Sequence, residues 1–376
     1  MLRTETLIDA YIDANLIFVF AFLAWCCVRM FVRRTRLRHD YGVQLRLTEG
    51  MMLATLISPA LAIACVWCHA WMFPGTSMNA SDLVLNQFLN GRIPVDAQQF
   101  QAMMGLRAQV VEGLADPKSL AAQILIGLFV IGFALSVARV GQSARQLHRL
   151  IGRSFVWRRF GRLDILVSEE VCVPFSTRGL RRRYIVCPMD MLGRPRELKI
   201  ALAHELQHMR RKDTEWELAL VLISPLFFWN PVFAFWKRQI EHLRELACDQ
   251  ALLDRQSVNP RHYADCLLAV CDRNLNAGQT MAPQVPLLAT GQGAIGRRNR
   301  TVLATRIAAI AHKSTPSRCP AFVIHCGVLL AAVVLAFGAA SLRQPADWSQ
   351  DRLMLSTIVN LERLESRNSG LSLQGF

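Results

Sequence analysis

The segment Ala203-His204-Glu205-Leu206-Gln207-His208 constrains the fold, because other parts of the chain must come close to its two histidines. Two histidines four residues apart face the same side of a helix, so both imidazole rings can reach one zinc ion. Glu205 is turned away from His204 by about 100°, but its side chain can reach a water in an open coordination position and take its proton. The pattern predicts a metal site with a general base.

Helix signals surround this segment. Pro195 suits a first helical turn, Glu197 complements the helix dipole there, and Arg210, Arg211 and Lys212 lie near the other end. The alternative is a pair of solvated histidines on an amphipathic helix. In chains of this composition the motif arises by accident in roughly one case in a hundred, which favours the metal site.

A catalytic zinc needs a third protein ligand, and the segment 241–249 offers one. Glu245 and Asp249 are four residues apart on a predicted helix, so Glu245 can bind the metal while Asp249 accepts the second N–H of a ligating histidine. The neighbouring residues are apolar, and a buried carboxylate needs a metal or a charged partner. Glu241 and His242 are rival ligands, and an exposed acidic helix face is the alternative interpretation.

The run Leu218–Trp236 contains 19 residues without a charge, which is long enough for a membrane span. Such a crossing would separate His208 from Glu245 by about 30 Å, whereas metal–ligand bonds are about 2 Å long. Pro225 interrupts the run, and Asn230-Pro231 is a cap followed by a first helical turn. We therefore predict a helical hairpin that enters the inner leaflet or packs on other spans.

Four further apolar segments can cross about 30 Å of hydrocarbon. They are residues 16–31, 51–73, 120–140 and 321–342. The first is an anchor rather than a cleavable signal peptide, because its start is acidic and the arginines follow it.

Charge predicts the orientation of these spans. The chain has 43 Lys and Arg against 28 Asp and Glu. Residues 141–318 alone contain 28 basic and 15 acidic residues. The positive-inside rule puts this segment and the basic first loop in the cytoplasm, with both termini and the loop at about 74–119 outside. Because topology explains most of the excess charge, the lipid bilayer is an expected partner and direct nucleic-acid binding is not.

The predicted fold is a mainly α-helical integral membrane protein with four transmembrane helices and a cytoplasmic α+β domain. The boundaries are 1–50 for the first span and basic loop, 51–140 for spans two and three, 141–318 for the catalytic domain, 319–342 for span four and 343–376 for a short outer tail. Within the domain, 163–167 and 184–187 are predicted strands, separated by the turn-rich segment 174–179. An edge strand of this sheet could hold a peptide substrate by strand addition, or serve only as scaffold.

The amino-acid composition excludes several classes of protein. Apolar residues make up 52% and charged residues 19%, which is unlike disordered, collagen-like or coiled-coil chains. Of the 11 cysteines, no predicted outer segment holds a pair, so no disulfides are expected. Cys65 and Cys68 have zinc-ribbon spacing but lie in an apolar span without a second pair, which favours simple packing.

Four motifs together resemble a known family. They are Val173-Pro174-Phe175-Ser176, then His204–His208 continuing through Arg211 and Asp213, then Asn230-Pro231, and finally Arg244-Glu245-Leu246-Ala247-Cys248-Asp249. With the four-span layout they resemble the BlaR/MecR-type membrane metallopeptidases, whose zinc site is gluzincin-like. The resemblance covers about residues 145 to 275.

This resemblance implies His204, His208 and Glu245 as ligands of one zinc ion and Glu205 as the general base. It also implies a bacterial inner-membrane location, self-cleavage of the cytoplasmic domain after an outside signal, and cleavage of a winged-helix transcriptional repressor. The stretch Thr290–Arg300 is then a candidate self-cleavage region, or alternatively a flexible tether to the fourth span.

One departure from the family is large. Its antibiotic sensors have an outer penicillin-binding domain, whereas about 35 residues follow Leu342 here and no Ser-x-x-Lys motif occurs. We therefore expect no β-lactam acylation of this chain. A signal would enter through the loop at 74–119, the tail, the spans or a partner.

The resulting hypothesis is a four-span zinc endopeptidase in signal transduction. Arg244, His262 and Tyr263 are candidates for stabilising the oxyanion, by proximity alone. One alternative is a quality-control or processing membrane metalloprotease, and another is a non-enzymatic receptor stabilised by zinc. A homo-oligomer is left open.

Overall fold

The structure is a computed structural model that describes residues 4–72, 99–100, 109–114, 116, 118–179, 181–255, 259–277, 295–311, 321–341 and 357. Contacts divide the chain into two compact units, each considered by itself below. One unit contains Met1–Leu23, Gly50–Phe129 and His325–Phe376, and the other contains Ala24–Glu49 and Val130–Ile324. Most of the predicted outer loop and nearly all of the predicted outer tail lie outside the described residues.

The elements are mainly helical. The helices are α1 (Thr4–Arg34), α2 (Tyr41–Met72), α3 (Leu120–Arg153), α4 (Pro195–Arg211), α5 (Asp213–Ile223), α6 (Pro231–Asp254), α7 (Pro260–Ala277), α8 (Ile295–Ala311) and α9 (Ala321–Ser341). The strands are β1 (Phe155–Phe160), β2 (Leu163–Ser168), β3 (Phe175–Arg178) and β4 (Arg183–Pro188).

Three helices among the described residues are long and apolar enough to cross a membrane. These stretches are Ile8–Arg34, Tyr41–Ala64 and Leu120–Arg153, and they overlap the first three predicted spans. The fourth predicted span falls on α9, whose apolar stretch Cys326–Ala336 is shorter. The fourth crossing therefore stays a prediction.

In the first unit, α1 and α2 both supply buried side chains, among them Phe18 and Met52. Gly50 of α2 lies so close to α9 that a Cβ there would be 2.5 Å from Cγ2 of Val328. A glycine at this position therefore allows the two helices to approach each other.

In the second unit the strands form one sheet of order β1-β2-β4-β3. Strands β2 and β4 pair in parallel, and the two outer pairs are antiparallel. The predictions for 163–167 and 184–187 are confirmed as β2 and β4. The prediction of turns over 174–179 is wrong, because Phe175–Arg178 pairs with β4 as strand β3. Ser176 and Thr177 are buried there, so tertiary contacts override the local turn signals.

Strand β1 was not predicted. All six of its residues are exposed, so it lacks the alternation of buried and exposed residues that marks a half-buried strand. It is an edge strand, held by pairing with β2.

Helix α4 packs on this sheet. The core between them contains the buried residues Val167, Ile185, Cys187, Met191, Leu198 and Met209. The helix that carries His204 and His208 is therefore anchored to the sheet by apolar contacts.

The charge-free run does not form one long helix. Helix α5 has 11 residues, about 16 Å, and a short 3-10 turn that includes Pro225 follows it. Asn230 then caps α6 by accepting hydrogen bonds from the amides of Val232 and Phe233. The predicted break and the predicted start of a new helix are confirmed, and α6 can bring Glu245 back to α4.

Helix α8 packs against α6 and α7. Leu252, Tyr263 and Ile310 form the buried cluster that joins the three helices. The stretch Thr290–Arg300, a candidate self-cleavage region or tether, is helical from Ile295 onward. Its first five residues lie outside the described part of the chain.

Candidate metal centre

The two histidines of α4 lie against each other at the centre of the site. Their Nε2 atoms are 3.1 Å apart, and the ring planes are inclined by 85°. The helix produces this pairing because residues four apart share one face. His208 is buried and His204 nearly so, so the neighbouring polar groups determine the state of both rings.

His208 is oriented by the residue that follows the helix end. Its Nδ1 is 2.8 Å from Oδ2 of Asp213, a carboxylate with only 3% exposure. Between them, Lys212 adopts the left-handed conformation with φ 61° and ends the helix. Because an ionised carboxylate only accepts hydrogen bonds, Asp213 assigns the hydrogen of His208 to Nδ1.

His204 is oriented in a similar way from the other side. Its Nδ1 is 3.0 Å from the hydroxyl of Tyr263, and that hydroxyl donates to Oδ1 of Asp249 at 2.6 Å. The carboxylate itself is 3.5 Å from the same Nδ1. Since the tyrosine proton is directed at Asp249, the tyrosine oxygen can accept from Nδ1–H. The structure thus brings Asp249 to His204, mainly through Tyr263.

In the neutral tautomers that these partners favour, both Nε2 atoms are acceptors. Two lone pairs at 3.1 Å repel each other unless a cation lies beside them. Burial alone would lower the pKa of His204, but Cys248 and Glu245 raise it. For His208, burial likewise opposes protonation, yet Cys248 and Asp213 raise its pKa well above the usual value. The surroundings therefore favour positive charge, and this donor set fits a divalent ion such as zinc.

Glu245 lies next to both of these nitrogens. Its Oε2 is 3.5 Å from Nε2 of His204, and its Oε1 is 3.5 Å from Nε2 of His208. Burial would raise the pKa of Glu245, but Arg306 and the two histidines hold it well below the usual range. It is therefore ionised, and it can complete a His-His-Glu set. Its rival Glu241 lies near Glu217, whose carboxyl pKa it helps to raise.

Cys248 is a second candidate for a third ligand. Potential donor atoms of His204, His208 and Cys248 all lie within 4.8 Å of one another. Its Sγ, however, is 3.6 Å from Nδ1 of His204, the nitrogen that Tyr263 and Asp249 already engage. Burial alone would raise the thiol pKa, but the two histidines lower it. At His204, Glu245 therefore lies on the Nε2 side of the ring and Cys248 on the Nδ1 side.

Glu205 follows His204 on α4 and is 8% exposed. Burial, together with the charge of Glu205, raises the pKa of the Cys187 thiol on β4 to about 12. The candidate base therefore lies on the side of α4 that faces the sheet.

The three oxyanion candidates have different environments. Arg244 is buried and pairs with Glu49 at 3.9 Å and Glu217 at 3.6 Å. Tyr263 is engaged with Asp249, and His262 is exposed. Both Arg244 and Tyr263 thus have contacts that position other groups.

Three residues of the site had no role in the sequence-based prediction. Asp213 stood inside a quoted motif and Cys248 inside another, so a search for acceptors and sulfur ligands near the histidines could have selected them. Arg306 contacts Asp249 across 57 residues and lies in no recognisable motif. Only the packing of α8 reveals it.

Comparison with known proteins gives the family of this chain. A family model described as "BlaR1 peptidase M56" matches residues 11–298. The chain therefore belongs to the M56 peptidase family, a family of membrane metallopeptidases. This confirms the resemblance to the BlaR/MecR type.

One curated relative is the "Regulatory protein BlaR1" of Bacillus licheniformis, which is 33% identical over 96 residues. That match covers 25% of this chain and 16% of the relative. The family match and the three long apolar helices support a membrane protein at the family level.

Proposed function

We propose that this chain is a zinc endopeptidase of a bacterial inner membrane that transduces a signal by cutting itself, a cytoplasmic winged-helix repressor, or both. One observation supports it above all: each oxygen of Glu245 lies 3.5 Å from the Nε2 of one histidine. Two imidazoles and one carboxylate are the ligands of an open, catalytic zinc site. The third ligand comes from α6, which returns to α4 after the charge-free run.

The residues divide the chemistry between them. A zinc ion held by His204, His208 and Glu245 would supply Lewis acidity, which polarises a peptide carbonyl and acidifies water. Glu205 takes the proton of the attacking water and delivers it to the leaving amine. Asp213 keeps His208 in the tautomer that presents Nε2, and Tyr263 with Asp249 does the same for His204.

A peptide substrate needs a binding edge. The sheet has two edge strands, β1 and β3, and β3 packs against α4. We propose that β3 is the edge at which an extended peptide pairs, since it lies nearer to the metal-binding helix.

A receptor with a structural metal is the second candidate, because Cys248 lies close to both histidines. A thiolate added to the His-His-Glu set would close the coordination sphere, as in structural zinc sites. Proteolysis would then be unnecessary for signalling.

Glu205→Gln separates the two candidates. The full-length chain is solubilised, loaded with one equivalent of Zn²⁺ and assayed for self-cleavage and for hydrolysis of labelled casein. We expect the substitution to lower the rate about 10²- to 10⁴-fold with unchanged zinc content. The control is Glu197→Gln, which removes an acidic group from the first turn of the same helix and should leave the rate unchanged.

Cleavage by Glu205→Gln at the wild-type rate would remove Glu205 from the mechanism. A wild-type protein that binds zinc but cleaves neither itself nor casein would favour the receptor.

A further inference from the structure

Arg306 of α8 reaches into the candidate metal centre. Its Nε and Nη2 donate to the two oxygens of Asp249 at 2.7 and 2.8 Å, and its Nη1 lies 3.0 Å from Oε2 of Glu245. The side chain is 14% exposed. One guanidinium therefore bridges the carboxylates of Asp249 and Glu245, which are four residues apart on α6.

The bidentate contact with Asp249 begins a chain of hydrogen bonds that leads to His204. Asp249 is 1% exposed, and a charge so deeply buried needs a partner. Arg306 meets both of its oxygens in the planar geometry that suits a guanidinium and a carboxylate. Asp249 in turn accepts from Tyr263, whose oxygen contacts Nδ1 of His204. The orientation of one histidine thus depends on Arg306 through two intermediate groups.

The contact with Glu245 acts more directly. Arg306 holds Oε2, while Oε1 lies on the side of His208. A carboxylate anchored by one oxygen presents the other in a defined direction. Arg306 therefore orients Glu245 as well as His204.

Helix α8 holds Arg306 in place. Ile310, one turn further along α8, is buried with Leu252 and Tyr263. Arg306 also lies beyond residues 11–298, the segment that the family model matches. The contact therefore comes from a residue outside the matched segment.

We propose that Arg306 is a positioning residue of the metal centre, which sets the directions of Glu245 and His204 and makes metal affinity depend on the docking of α8. This inference rests on the proposed His-His-Glu centre, but it does not require proteolysis. The rival explanation is electrostatic: a cation near a divalent ion only repels it.

Two substitutions distinguish positioning from simple charge. Arg306→Lys keeps the charge but loses the planar fork, and Arg306→Gln loses both. Affinities for Co²⁺ and Zn²⁺ are measured on the full-length solubilised protein, together with the visible absorption of the Co²⁺ form. The control is Thr305→Ala, an exposed position on the same helix. Circular dichroism and thermal unfolding of each metal-free variant report whether it is folded.

We expect both Arg306 variants to bind metal about 10- to 100-fold more weakly and to change the Co²⁺ spectrum, while Thr305→Ala does neither. Wild-type affinity in Arg306→Lys, or tighter binding in Arg306→Gln, would overturn the proposal. If both variants unfold, Arg306 is a folding residue and the proposal is also overturned. Metal binding that follows the expected pattern without any proteolysis would leave this inference standing and reject the proposed function. A wild-type protein that binds no metal would reject both.

Discussion

The carboxylate of Asp213 lies 2.8 Å from Nδ1 of His208, although a helix ends between the two residues. The contact is possible because Lys212 adopts φ 61° and donates its N–H to the carbonyls of His208 and Met209. The chain turns sharply there, and α5 starts with Asp213 directed back at the histidine. The helix end is therefore part of the candidate metal centre.

Asp213→Ala should weaken zinc binding about 10- to 100-fold, because His208 loses the acceptor that orients its ring. Equilibrium titration of the full-length protein with Zn²⁺ measures the change. Thr214→Ala is the matched control, since its hydroxyl binds Glu215 rather than a histidine. Equal affinity in the Asp213 variant and the wild type would show that the hydrogen bond does not influence the metal site.

Lys212→Gly should stabilise the second unit by up to about 1 kcal/mol, because a side chain in the left-handed conformation costs about 1–2 kcal/mol and glycine avoids that cost. Lys212→Ala keeps a Cβ and should show no such gain. Thermal unfolding in detergent, followed by circular dichroism, compares the two variants. A gain in the alanine variant as large as that in the glycine variant would mean that the backbone conformation is not its cause.

Glu245→Gln and Cys248→Ser should differ in their effect on metal binding. We expect the glutamate variant to lose at least about tenfold in Co²⁺ affinity, and the cysteine variant to bind as the wild type does. The wild-type Co²⁺ form should also lack the near-ultraviolet charge-transfer band of a cobalt–thiolate bond. A strong band that disappears in Cys248→Ser would identify the cysteine as a ligand and favour the receptor.

Glu217 should make stability depend on pH. Burial raises its pKa to about 7, while Arg244 partly opposes the shift. The folded state then binds the proton more tightly than the unfolded state does, so this group's contribution to stability falls as pH rises from about 4.5 to 7. Glu217→Gln cannot ionise, so its stability relative to the wild type should increase over that range, by at most about 3 kcal/mol.

Glu215→Gln is the control with the opposite sign. Burial would raise the pKa of Glu215, but hydrogen bonds from Thr214 and its own backbone, with Arg183 and Arg178, lower it. Its contribution to stability is present above about pH 4.5 and is lost as pH falls through the folded-state pKa. Thermal unfolding between about pH 3 and 8 measures both variants. A Glu217→Gln difference that does not vary with pH would contradict a raised pKa.

Much of the architecture followed from local patterns. The first three spans are visible in the sequence because apolar length alone identifies them. The break at Pro225 and the helix start after Asn230 were also predicted, because a proline in the run and a side-chain cap act within a few residues of chain.

Other features could not be predicted in this way. Strand β3 lies in a segment with turn residues, and it forms because β4 offers a partner edge. All residues of strand β1 are exposed, so no alternation of buried and exposed residues marks it. Both depend on pairing between segments, which no local pattern records.

The sequence by itself determined that two histidines and a glutamate occupy one helical motif, since helical periodicity requires only the spacing of residues along the chain. Only the tertiary structure decided what surrounds them. Asp213 depends on one left-handed turn, and Arg306 arrives from a helix 57 residues beyond Asp249. Such contacts form because a buried charge requires an oppositely charged partner, however far apart the two residues lie in the sequence.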